Sequence, residues 1–162
     1  MLEFLWSIVN ILFLFVICVV NIEGLKEYLT LHNLPMMVSL SEDATAAVGK
    51  RQYNSTTNSI YGFSLPLQPN GLPNWKDSVI NSALDAVLMF STYKMATVLI
   101  VVVAQPMGDG IPPIRICLFG SDNTFKTTDV KHRLKTIVSL LKTEGIIVLT
   151  YSADGDSRVK IY

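Results

Sequence analysis

The chain has 162 residues, half of them apolar and 16% charged, with 13 lysines and arginines balancing 13 aspartates and glutamates. That length accommodates one domain, and the composition favours a packed core over a disordered chain. Zero net charge excludes a broadly basic surface of the kind that drives autonomous nucleic-acid binding, so any contact with DNA must rest on local patches.

The chain opens on FLWSIVNILFLFVICVV, Phe4 to Val20, 17 residues that reach the lower edge of what spans a bilayer. The only early charge is Glu3, and Asn21-Ile22-Glu23-Gly24 makes a poor cleavage site, so residues 1–22 fit an uncleaved membrane anchor better than a signal peptide. The other reading is a stretch foreign to the domain behind it. A membrane is therefore an expected partner through residues 4–20, with a membrane location if the anchor is real and an intracellular one otherwise. The domain proper is expected over residues 24–162.

Leu25, Tyr28, Leu29 and His32 recur at helical spacing, which predicts a helix over Gly24–Leu34 ended by Pro35. Met36 to Leu40 reads as a buried strand leading into Ser41-Glu42-Asp43. A second strand is expected at about Ile60 to Leu65, behind the turn-rich Asn54–Asn58, as an antiparallel partner of the first. The four residues Pro66, Pro69, Gly71 and Pro73 make a loop. Val79, Ala83, Ala86, Val87 and Phe90 then predict a helix, and TVLIVVVA (Thr97 to Ala104) a strand buried on both faces.

Ile114 to Phe119 follows as a further strand. The clearest helix comes next, capped at Thr127 or Thr128, favoured at its positive end by Asp129 and stopped by Gly145. Val130, Leu134, Ile137, Val138 and Leu141 line one face, with Lys131, Arg133, Lys135 and Lys142 off it. Ile146 to Tyr151 reads as a buried strand running into Ser152-Ala153-Asp154-Gly155-Asp156. Strands alternating with helices predict an α/β fold around a mixed sheet.

Two carboxylates lie just beyond apolar strands: Asp43 after MMVSL and Asp154 after IIVLTYSA. Strand ends of open α/β sheets gather ligands, and two such acids on neighbouring strands can share a Mg²⁺ ion. The alternative for each is an ordinary turn aspartate. Other acids are Glu42, whose side chain leaves the strand on the face opposite Asp43, Asp122, which suits the turn before the long helix, and Asp156.

His132 has no acid or nucleophile spaced to partner it. Lys131, Arg133, Lys135, Lys142, Arg158 and Lys160 read as a solvated helix face or a modest basic patch. No GxSxG elbow, Walker loop or EF-hand loop occurs, so no small-molecule substrate is indicated. Cys18 and Cys117 lack metal-ligand neighbours and read as free thiols rather than zinc ligands.

From about Leu25 onward, the blocks LPMMVSLSEDATAAVGKRQYNSTTNSIYGFSLPL, NGLP, AQP, IPP, FGSDNTF and IIVLTYSADGDSR stand in an order that resembles transposon-related invertebrate proteins with an RNase H-like integrase fold. The order is more distantly similar to P-element transposases. SEDAT and ADGDSR are the specific parts. The resemblance implies an RNase H-like mixed sheet with flanking helices and an ancestral metal-dependent cleavage and transfer of DNA strands. Asp43 on the first strand and Asp154 at the end of the fourth would be the catalytic, metal-holding acids. It also implies a third acid on a later helix. Tyr162 comes eight residues after Asp154, so that acid is not expected here, and the domain reads as a partial, truncated copy without activity of its own.

Overall fold

The computed structural model describes residues 19–153. The expected membrane-like segment falls almost wholly outside them, as do Cys18, Asp154, Asp156, Arg158 and Lys160. Among the described residues, no helix is long and apolar enough to cross a membrane.

The architecture is α/β. Helix α1 (Ile22–Leu31) is followed by strands β1 (Met37–Ala46), β2 (Gln52–Asn54) and β3 (Ser59–Tyr61), then helix α2 (Ala83–Thr92). Strands β4 (Val98–Pro106) and β5 (Ile114–Ser121), helix α3 (Thr127–Thr143) and strand β6 (Ile147–Ala153) complete it. The main sheet is mixed, in the order β5-β4-β1-β6, with β1 antiparallel to β4 and parallel to β6, and β4 antiparallel to β5.

Local chemistry sets the helix starts. Asn21 accepts the Gly24 N–H at the head of α1. Ser82 and Asp85 form a reciprocal capping box at α2, where the Asp85 carboxylate accepts the N–H groups of Asn81 and Ser82. Those bonds, the Asn81 N–H first, hold the Asp85 carboxyl below the ordinary aspartate range. The cap of α3 sits at Lys126, whose N–H donates to Asp129, so neither Thr127 nor Thr128 is needed as a cap. Gly145, at φ +77°, closes the C-terminal end in the left-handed region.

Four expectations about the strands change. The first strand continues through Ser41-Glu42-Asp43 to Ala46, because β4 pairs with it along that whole length, Asp43 opposite Val101. The segment at Ile60 pairs with β2 in a separate hairpin instead of with β1; Asn54 accepts the N–H groups of Thr56 and Thr57 and folds the turn. Strand β4 is buried on one face, through Ile100, Val102 and Ala104, whereas Leu99 on the other is exposed. Strand β6 is an exposed sheet edge rather than a buried strand, with Ile147 and Leu149 largely in solvent.

The core gathers on one side of the sheet: Val38 and Leu40 from β1, Ile100 and Val102 from β4, Phe119 from β5, Leu25 and Leu29 from α1, and Val130, Ile137 and Leu141 from α3. Arg133 belongs to this same stripe, three residues after Val130 and four before Ile137, and is fully buried rather than on the polar flank. It meets Glu42, the next inward residue of β1 after Leu40. Arg133 Nε donates to Glu42 Oε2 at 2.9 Å, its Nη2 donates to Oε1, and its Nη1 donates to the Gly71 carbonyl at 3.1 Å. The guanidinium also lies over the rings of Phe119 and Phe125, 5.3 and 5.7 Å from their centroids. Gly71, at φ +77°, seats directly on the helix: a Cβ there would come within 2.2 Å of the Asp129 carbonyl oxygen.

Removing one member of such a pair strands a buried charge. Arg133→Ala is expected to destabilise the fold by about 3–5 kcal/mol, whereas Glu42→Leu with Arg133→Met together restores much of that loss. Urea midpoints of the single and double variants check this, and an Arg133→Ala midpoint equal to wild type refutes it.

Candidate functional site

Alternation along β1 separates the two neighbouring acids. Glu42 points into the core and is consumed by Arg133, while Asp43 emerges on the opposite face and is exposed. The Asp43 carboxylate accepts one hydrogen bond, from the Thr45 hydroxyl two residues on along the same face. Most of its lone pairs remain directed at solvent, the state in which an oxygen ligand can meet a hard cation.

Strand β6 runs beside β1 in parallel, with Ser41 in register with Ser152 and Glu42 with Ala153. Ala153 is the last described residue, so Asp154 lies outside the described residues. The one acid of the expected pair that can be seen therefore sits one position past the Glu42–Ala153 register pair. Among the described residues, no group of three or more His, Cys, Asp and Glu side chains is arranged to hold a metal ion.

The remaining candidates have structural occupations. Asp122 accepts the Thr124 N–H and hydroxyl, interacts with Ser64 and pairs with Lys94 at 3.4 Å. The Thr124 hydroxyl first, then Lys94, holds its carboxyl below the ordinary range. It shapes the turn before α3, and the cleft of about 440 Å³ that it borders with Lys94, Lys126 and Asp129 has both of its carboxylates already engaged. His132 is exposed on α3.

Sequence reasoning missed the Glu42–Arg133 pair. The signals were an arginine at +3 and −4 from apolar helix positions, and a glutamate in phase with Val38 and Leu40. Near this pair, the Tyr151 hydroxyl is buried without a hydrogen-bond partner among the described residues. Burial first, with the Glu42 charge adding to it, raises its pKa well above the ordinary tyrosine value.

Cys117 is buried on β5, and burial pushes its thiol up to about 12. At neutral pH it is an uncharged core side chain with no route to nucleophilic or metal chemistry. In a Cys18→Ser protein, a thiol reagent at pH 8 should label Cys117 only as the domain unfolds, its rate following the denaturant transition. Fast labelling of the folded protein would contradict that burial.

No family model, curated protein or solved structure matches the chain.

Proposed function

We propose that the domain is an RNase H-like domain of transposase descent, whose ancestral chemistry is metal-dependent cleavage and transfer of DNA strands and which does not cut DNA alone. The observation that carries this reading is the placement of Asp43. It is an exposed, lightly hydrogen-bonded carboxylate on the first strand of a mixed sheet, directly beside the parallel fourth strand of that sheet. Asp154 follows Ala153 in sequence just as Asp43 follows Glu42, and Ala153 and Glu42 are register partners. Oxygen donors of this kind suit Mg²⁺, which tolerates one or two carboxylates with several waters. When bound, such an ion supplies charge stabilisation at a phosphodiester. Asp43 holds its place through the Thr45 hydroxyl, and Glu42 contributes nothing to the ion because Arg133 already saturates it.

In residues 19–162 labelled with ¹⁵N, Mn²⁺ is expected to broaden the amide signals of residues 41–45 and 150–153 selectively. Asp43→Asn should abolish the broadening while shifting stability by less than about 0.5 kcal/mol, as exposed substitutions do. Plasmid DNA should stay intact in Mg²⁺ or Mn²⁺. Unchanged broadening in Asp43→Asn ends the metal-site reading. Cleavage that Asp43→Asn removes would instead make the domain a complete nuclease.

A second reading, a membrane-anchored non-catalytic binding or interaction domain, is favoured by α2. That helix presents Leu84, Val87 and Leu88 to solvent, an apolar stripe unusual for an unpartnered surface helix. It predicts that the full chain sediments with membranes and that removing residues 1–18 releases it. A full chain that stays in the soluble fraction rules this reading out.

A further inference from the structure

A strand at the end of a sheet leaves a row of backbone N–H and C=O groups open to pairing, and proteins usually blunt such edges with charge, proline or a covering segment. The two edges of this sheet differ. At β5 the incoming chain leans on the edge, and the Asn21 N–H donates to the Ile116 carbonyl at 2.8 Å. At β6, IVLTYSA carries no charge and no proline, pairs only with β1 among the described residues, and leaves Ile147 59% and Leu149 48% exposed.

The helix packed on that strand is similarly unfinished on one side. Leu134 and Val138 of α3 are only half-buried and floor a shallow apolar groove of about 430 Å³. Its rim is Lys131, Lys135 and Lys142, no acid lines it, and none of the three lysines is paired with an acid among the described residues.

We infer that β6 and this lysine-rimmed flank of α3 form a docking surface for an extended, acidic segment of a partner protein that adds as a strand to the β6 edge. Backbone pairing with β6 supplies the attachment; apolar side chains on one face of the added strand cover Ile147 and Leu149, which point away from α3, and the alternate, acidic side chains on the other face lie along the α3 flank and meet the lysines. Charge decides against a second copy of this chain as the occupant. Antiparallel pairing of β6 with its own copy about a twofold axis keeps both α3 helices on the same sheet face, so the two lysine rims would be brought towards each other.

The test uses the full chain and two short synthetic peptides, one alternating valine with glutamate and the other alternating valine with lysine. The glutamate peptide is expected to slow hydrogen exchange of the β6 amides not donated to β1, and to bind about tenfold or more weakly at high salt than at low salt, since surface charge pairs are screened. Lys131→Glu with Lys135→Glu, both at exposed positions, should weaken that binding about tenfold while leaving the amide spectrum of the rest of the fold unchanged. Equal binding of the two peptides overturns the inference, as does failure of the glutamate peptide to protect β6. So does a free chain that is already dimeric with protected β6 amides, which would name a second copy as the occupant.

Discussion

The contact between Arg133 and Glu42 decides how the rest of the molecule is arranged. An arginine buried without a partner is untenable, because desolvating the charge costs several kcal/mol or more. Here both carboxylate oxygens and the Gly71 carbonyl take up its donors, and two aromatic rings cover its faces. One side chain thereby ties together the central strand, the long helix and the loop before α2. The same contact fixes which way β1 faces. With Glu42 held inward, a one-residue slip would drive Asp43 into the core and Glu42 into water, so the pair enforces the register that leaves Asp43 free.

Much of this fold can be read from residue order. The long helix is legible because its apolar stripe, its Asp129 near the start and its Gly145 stop all agree. The strands at Val98 and Ile114 are legible from β-branched, apolar runs. What residue order hides comes from tertiary partners. SEDATA looks like a loop by composition, and only pairing with Val98–Val103 makes it strand. IIVLTY looks buried because a short apolar run says nothing about whether a neighbour covers it. Residue type alone sends Arg133 to solvent, although its spacing puts it in the apolar stripe.

The candidate site is legible to a similar depth. Alternation along the strand already separates Glu42 from Asp43, and in the structure one acid neutralises the core arginine while the other faces solvent. Asp122 reads as a turn residue, and its bonds to Thr124 and Ser64 are those of a turn. The burial of Cys117 follows from its place in an apolar strand. The long-range pairing of Glu42 with Arg133 does not follow from local pattern, because 91 residues separate the two.

That separation governs the order in which the sheet can assemble. The central strand β1 leaves the ribosome early, finds its antiparallel neighbour β4 after some fifty further residues, and receives its parallel neighbour β6 only when Ile147–Ala153 has emerged. Strand β6 is thus the last strand of the main sheet to emerge, and among the described residues the strand that leads toward Asp154 is hydrogen-bonded to the sheet through β1 alone.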